Sequence, residues 1–145
     1  MNAIDLLKAD HEIIDKLATQ ADQADDWSEK SAYIAEIQRE LELHTELEES
    51  MLYPLFTDND KTRSMIEHFF DDHQAIRDLM DEISNTEDEN EANDKFGELV
   101  EAINAHVDDE ENIFFPIILR SLNDSELNDL GTKFEAEKEE SLKAA

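Results

Sequence analysis

The sequence contains no cysteine, and only two glycines and two prolines occur among its 145 residues. Without cysteine the chain cannot form disulfides, thiolate zinc sites or cysteine-ligated iron–sulfur clusters. Glycine and proline are the residues that most often mark turns and loops, whereas alanine, leucine and glutamate are plentiful here. This balance indicates an all-helical domain with short connections.

Basic residues are also scarce, since 12 lysines and arginines face 40 aspartates and glutamates, giving a formal net charge of −28. Such a charge is typical of solvated acidic helix faces, and it argues against binding to DNA, RNA or an anionic membrane surface. The sequence has neither a long apolar run that could span a membrane nor the N-terminal pattern of a secretory signal. We therefore expect a cytoplasmic protein without nucleic-acid or membrane partners, and the sequence leaves the oligomeric state open.

The chain contains two copies of one unit. Residues 41–56 and 103–118 each carry a histidine, a glutamate four positions later and an aromatic–proline pair, and 106 − 44, 110 − 48 and 116 − 54 all equal 62. Two further histidines fit the same offset, because 73 − 11 is also 62. Each copy thus has one histidine followed, 33 positions later, by the first residue of a His-x-x-x-Glu motif. The repeat predicts two equivalent halves of one site.

Apolar residues at helical spacing predict four long amphipathic helices, over residues 3–23, 29–56, 62–84 and 92–122. Ser28 is expected to cap the second helix, and Pro54 to kink or end it. Helices of this length joined by short links pack best as an antiparallel up-down-up-down bundle, here built from two tandem helix pairs.

The C-terminal segment is predicted to belong to the same domain as the bundle of residues 1–122. Asn123 and Glu126 resemble a capping box that begins a short helix. We expect the rest of residues 123–145 to fray, with Gly131 as an interruption.

Six of the repeated side chains are candidate metal ligands. Residues four positions apart lie about 40° apart around a helix, so the histidine and glutamate of each motif project together. Each lies in an apolar stripe, where an unpaired carboxylate is unfavourable and two facing glutamates repel each other. Cations placed between them resolve both problems, and imidazole with carboxylate suits first-row metals, iron included. The candidates are His11, His44, Glu48, His73, His106 and Glu110.

The six candidates divide evenly between two metal ions. Each ion takes the two histidines of one helix pair, His11/His44 or His73/His106, while Glu48 and Glu110 bridge the ions. With an oxo or hydroxo bridge each ion has five ligands and keeps a sixth position open. We expect this position to be walled by Met51, Leu55, Ile113 and Ile117. Without metal, one of the two glutamates is expected to hold a proton at a raised pKa.

The motifs DHEII, ELHTELEESMLYP, DHQAI and INAHVDDEENIFFP together resemble the hemerythrin-like, or HHE cation-binding, family. The resemblance covers residues 4–119. It implies a four-helix bundle that holds two iron ions in a non-haem di-iron centre, with the four repeated histidines as terminal ligands and both glutamates as bridges.

The chain departs from the invertebrate oxygen carriers of this family at two positions. Those proteins have a further histidine where Phe69 stands, and an aspartate five residues after the last histidine, whereas this chain has Glu110 four residues after it. Reversible oxygen carriage is therefore disfavoured. The chain looks more like HHE proteins linked to peroxide, nitric oxide or iron handling.

Five other side chains near the motifs are interpreted as lying outside the ligand set. His68 has no repeat partner and points away from the ligand face of its helix. Glu49 and Glu111 are expected to be solvated, Tyr53 to be a packing residue, and Glu40 to be a polar residue at the bundle end.

The leading functional prediction is a di-iron protein that binds or reacts with dioxygen, peroxide or nitric oxide in oxidative or nitrosative stress. Catalase-, peroxidase- or oxidase-like turnover is left open. The alternatives are an iron- or oxygen-sensing or iron-handling module without turnover, and a metal-free structural bundle. A ferritin-type Glu-x-x-His site is disfavoured, because no histidine here has a glutamate three positions before it.

Overall fold

The computed structural model describes residues 1–144, and within them every regular element is a helix, as the sequence predicts. No helix of this described part is both long and apolar enough to cross a membrane. The elements are α1 (Ala3–Asp22), α2 (Trp27–Leu47), a first π segment (Glu48–Leu52), a 3₁₀ turn (Tyr53–Phe56), α3 (Asp60–Asn85), α4 (Glu89–Asp109), a second π segment (Glu110–Phe114), α5 (Phe115–Ser121) and α6 (Asp124–Ala144).

The four long helices α1 to α4 form the predicted bundle of two helix pairs. Within the pairs, α1 packs closely on α2 and α3 packs on α4. Between the pairs, side chains make the contacts: Arg77 of α3 donates to Thr45 of α2, and His11 of α1 contacts Glu111 of the second π segment. The four helices therefore form a closed ring around a common interior.

Side-chain caps fix where the helices begin. The predicted cap at Ser28 is wrong, because α2 begins at Trp27 and the Asp26 carboxylate accepts a hydrogen bond from the Glu29 N–H at 2.8 Å. The capping box is confirmed, since Asn123 and Glu126 exchange backbone-to-side-chain hydrogen bonds of 3.0 and 2.8 Å.

The C-terminal helix is neither short nor interrupted. α6 runs without a break for 21 residues and buries Leu127, Leu130 and Phe134 against the bundle. Gly131 serves a close approach to the N-terminus, because a Cβ at this position would lie 2.5 Å from the backbone oxygen of Met1. The prediction of a frayed tail fails because it overlooked this apolar stripe.

Both His-x-x-x-Glu motifs end in a π-helical turn that the sequence analysis did not anticipate. The Tyr53 N–H donates to the carbonyl of Glu48 five residues before it, and the Phe115 N–H donates to Glu110 in the same way. α-Helical geometry thus ends before Pro54, and the proline becomes the second residue of the following turn, where a missing N–H is tolerated. Single π turns of this kind are frequent at functional sites.

The core of the bundle is divided by a buried polar layer. One apolar cluster at the end near the N-terminus includes Leu7, Leu52 and Phe134, and a second at the opposite end includes Ile37 and Leu99. The buried histidines and glutamates belong to neither cluster. Apolar packing on both sides holds this layer in place and excludes bulk water from it.

Candidate metal centre

The structure brings all six candidate ligands into one buried layer, each with at most 6% of its surface exposed. α1 and α2 contribute His11 and His44, whose Nε2 atoms lie 3.2 Å apart. α3 and α4 contribute His73 and His106, whose Nε2 atoms lie 3.1 Å apart. The histidines therefore pair within each helix pair, as the repeat predicts.

Each glutamate lies close to two histidines, one from each helix pair. Glu48 Oε1 lies 3.2 Å from His44 Nε2 and 3.3 Å from His73 Nε2. Glu110 divides its oxygens, with Oε1 3.3 Å from His11 Nε2 and Oε2 3.5 Å from His106 Nε2. This placement suits carboxylates that span two neighbouring cation positions.

Three carboxylate oxygens in this layer have no hydrogen-bond partner among the described residues: both oxygens of Glu48 and Oε1 of Glu110. Both side chains are fully buried. The neighbouring Nε2 atoms are close but lie outside hydrogen-bond geometry, so the charge of these oxygens is not met by donors. Buried polar groups without partners are rare and unfavourable. Because the donors comprise imidazole nitrogens and carboxylate oxygens converging on one space, the residues fit a metal site.

The outer nitrogen of every histidine in the layer contacts a carboxylate, at 2.6 to 3.0 Å. A carboxylate only accepts, so each Nδ1 carries a hydrogen and donates it, which directs Nε2 toward the centre. When the ring is neutral, the lone pair of Nε2 is available there to bind a cation. The pairs are His11 with Glu111, His44 with Asp10, His73 with Glu49 and His106 with Asp72.

Two of these outer carboxylates correct the sequence prediction. Glu49 and Glu111 were expected to be solvated, yet both are partly buried, and they orient His73 and His11 respectively. They point inward across the helix interface because each follows a glutamate at the start of a π turn. The 62-residue offset was the signal that could have identified them, since 111 − 49 and 72 − 10 both equal 62.

Two outer carboxylates are themselves paired with cations. Arg77 donates to Glu49 at 2.7 Å, and Lys138 of α6 donates to Asp10 at 2.5 Å. Burial would raise the pKa of the Asp10 carboxyl, but His44 and Lys138 outweigh burial and hold that pKa below its ordinary value. Asp10 therefore stays ionised and keeps its hydrogen bond to His44.

Tyr53 does more than pack. It is fully buried, and its hydroxyl donates to Glu110 Oε2 at 2.6 Å. Burial and the nearby charges of Glu48 and Glu110 raise the pKa of the phenol well above its usual value, so the proton stays on Tyr53. Its repeat partner Phe115 stacks on His11 but has no hydroxyl, so the two halves of the site differ at this position.

Of the remaining nearby side chains, His68 lies off the ligand face, as the sequence predicted. His68 is exposed and contacts Asp72 at 3.5 Å, away from the centre. Phe69 packs edge-on against His106 with ring centroids 5.1 Å apart, so the position of the carriers' additional histidine holds an apolar ring. Glu40 is half-buried and belongs to neither group of converging donors around the centre.

The predicted walls of the open position are at the wrong end of the centre. Leu55 is 56% exposed and Ile113 is 50% exposed, because the π turns change which residues within and after them face inward. A cavity of about 10 Å³ lies instead between the four histidines. Its apolar walls come from Ile14, Leu41, Ile76 and Ile103. This volume has room for about one water-sized molecule.

Glu110 is not the glutamate that was predicted to hold a proton at a raised pKa in the metal-free layer. Burial would raise the pKa of the Glu110 carboxyl, but the neighbouring Glu48, His106 and His11 outweigh burial and hold that pKa well below its ordinary value. Burial by itself would lower the pKa of His44 and of His106, the histidines of the two His-x-x-x-Glu motifs, but the glutamates beside them reverse that effect. They raise the pKa of His44 to about 10 and that of His106 to about 9.

We expect the free energy of unfolding of the metal-free protein to fall as the pH rises from about 6.5 toward 10. The folded state holds protons on His44 and His106 that an unfolded chain, with histidine pKa values of about 6.5, has already released. Below about pH 4.5 the depressed pKa of Glu110 makes stability fall again. Denaturant unfolding of chelated protein across this range tests the expectation, and constant or rising stability above pH 6.5 would contradict it.

The sequence and the fold both have counterparts among known proteins. The model of the hemerythrin HHE cation binding domain matches residues 2–118. A hemerythrin HHE cation binding domain-containing protein from Mycobacterium kansasii has a crystal structure that superposes with a TM-score of 0.83 at 26% identity, covering 97% of this chain and 86% of that one. A DNA nickase from Nostoc sp. is 26% identical over 144 residues, which are 95% of this chain but 39% of that protein.

Proposed function

Because the chain belongs to the hemerythrin HHE cation-binding domain family, we propose that its buried polar layer binds two iron ions. The ligands proposed are His11, His44 and Glu110 with one ion, and His73, His106 and Glu110 with the other, with Glu48 as the second bridge.

One observation carries this proposal: fully buried carboxylate oxygens without hydrogen-bond partners face four imidazole nitrogens. Two positive ions between these donors would remove the repulsion between Glu48 and Glu110 and satisfy the orphaned oxygens. The outer carboxylates support the same assignment, because histidines that bind metals commonly donate their second N–H in this way.

Bound iron would supply a redox-active centre with a coordination position for a small molecule. The residues of this chain restrict what reaches it. The apolar cavity between the histidines has room for about one water-sized molecule, and the hydroxyl of Tyr53 holds a proton beside Glu110. Dioxygen, peroxide and nitric oxide meet these limits of size and polarity, so we propose that the protein binds or turns over one of them.

Sensing is the second candidate function, and one chain of contacts favours it. Lys138 of α6 holds Asp10, which in turn holds His44. A change in metal occupancy at His44 would therefore alter the contact between Asp10 and α6, the C-terminal helix.

DNA nicking is not proposed for this chain. The relative with that name is a much longer protein, of which the chain spans 39%. With 40 acidic and 12 basic residues, the chain would repel a phosphate backbone.

Iron-reconstituted protein is expected to contain about two ions per chain and to oxidise rapidly in air from its diferrous form. Elemental analysis with stopped-flow absorbance after mixing with dioxygen, peroxide or nitric oxide measures both properties. A stoichiometry near one or zero would contradict the two-metal proposal. A long-lived reversible oxygen adduct would favour sensing or carriage, and inertness to all three molecules would favour iron handling.

A further inference from the structure

Two surface clefts reach the buried centre from opposite sides of the bundle. The first lies between α1 and α4, has a volume of about 250 Å³ and ends at His11. The second lies between α2 and α3, has a volume of about 240 Å³ and ends at His73. The internal repeat relates the two clefts, since 73 − 11 is 62. Similar size and equivalent position make them natural controls for each other.

The charges of the two clefts have diverged. Four acidic side chains and no basic one line the α1–α4 cleft: Glu12, Asp15, Asp108 and Glu111. The α2–α3 cleft has Arg77 where the first repeat has Asp15, because 77 − 15 is 62, and its acidic residues are Glu42 and Asp81. A cation approaching the protein is therefore attracted to the first cleft more strongly than to the second.

The two clefts also differ at their inner ends, where a carboxylate contacts the histidine of the centre. In the α2–α3 cleft, Arg77 donates to Glu49 at 2.7 Å and so neutralises the carboxylate that orients His73. In the α1–α4 cleft, the equivalent carboxylate of Glu111 contacts His11 at 2.6 Å, remains one-third exposed and makes no ion pair with a lysine or arginine among the described residues. Glu111 can thus meet a cation on the solvent side.

Directly behind His11 lies an acceptor without a partner. Glu110 Oε1 is fully buried, has no hydrogen-bond partner among the described residues, and lies 3.3 Å from His11 Nε2. The acidic cleft therefore leads, through one imidazole ring, to a buried negative charge that a cation would neutralise. This acceptor distinguishes the cleft from an ordinary acidic surface.

We propose that divalent metal ions enter the centre through the α1–α4 cleft, passing from its carboxylates to Glu111 and His11 and then to Glu110. This inference rests on the proposed metal-binding function. Arg77, paired with Glu49, makes the equivalent route on the other side less favourable to cations.

The test is the rate at which the full-length metal-free protein takes up cobalt(II), followed by stopped-flow visible absorbance. Asp15→Arg gives the α1–α4 cleft the residue of its counterpart and should slow loading about tenfold, within the range of electrostatic steering. Its final cobalt content should match the wild type. Asp81→Arg makes the same charge change in the α2–α3 cleft and should alter the rate less than about twofold.

A second variant separates the effect of charge from a steric effect of the introduced arginine. Asp15→Asn with Asp108→Asn removes two charges from the same cleft without adding a cation, and should also slow loading and weaken its dependence on sodium chloride. Equal slowing by Asp81→Arg, or unchanged rates in both α1–α4 variants at full final occupancy, would overturn the proposed route. A wild-type protein that takes up no cobalt at equilibrium would instead overturn the proposed function itself.

Discussion

Glu48→Ala is expected to abolish binding of both metal ions, lowering the content from about two per chain to well below one. The reason is geometric, because Glu48 Oε1 lies within 3.3 Å of one histidine from each helix pair. Glu110→Ala should have the same result, since its two oxygens also face one histidine of each pair. Elemental analysis after reconstitution and gel filtration measures the loss.

Folding of these variants must be separated from metal loss. Removing an unpaired buried carboxylate should leave the metal-free fold intact, and Glu48→Gln, which preserves side-chain size, should lose metal as well. His11→Ala should weaken chiefly one ion, whereas His68→Ala, an exposed histidine on the same helix as His73, should keep the wild-type content. Loss of only one ion in Glu48→Ala would contradict the bridging role.

Removing the metal is expected to lower the midpoint of thermal unfolding by about 5–15 °C. A ligand present at 100 to 1,000 times its dissociation constant stabilises the folded state by about 3–4 kcal/mol, and each kcal/mol shifts the midpoint of a domain of this size by about 2–4 °C. The physical source is the pair of facing glutamates, whose orphaned oxygens gain cation contacts only in the folded chain. Calorimetry of verified loaded and chelated protein measures the shift.

The matched control is the effect of chelator on Glu48→Ala. If stabilisation comes from metal in the centre, chelation should leave the midpoint of this variant unchanged. A chelator effect of equal size in the variant and the wild type would place the stabilising ion elsewhere, and coincident melting of loaded and chelated wild type would show that the metal contributes nothing to the fold.

The fold and the six converging side chains could be predicted because their signals are periodic. Apolar spacing marked the four helices, and the constant offset of 62 marked residues such as His44 and His106 that share one role in two copies. Burial then followed from their place within apolar stripes. These features depend only on regular helix geometry, which the spacing of residues in the sequence predicts directly.

The remaining features depend on departures from that geometry. The π turn that begins at Glu48 changes which residues face inward. Leu55 was therefore assigned to a wall that it does not form, and the contact between Glu49 and His73 was missed. The hydroxyl of Tyr53 contacts Glu110 from a different helix pair, a tertiary contact that no local pattern encodes. The length of α6 was missed because its acidic surface obscured three buried apolar residues.

The internal repeat also has a consequence for how such a protein can change over time. One helix pair contributes two histidines and one glutamate, which is half of the layer, so a twofold dimer of a single pair would assemble the same six side chains. Joining the halves through the short segment of residues 57–59 makes their association independent of protein concentration. It also allows the two halves to acquire different residues at equivalent positions. Asp15 and Arg77 occupy equivalent positions of the two halves, as do Phe115 and Tyr53, and identical subunits could never acquire such differences.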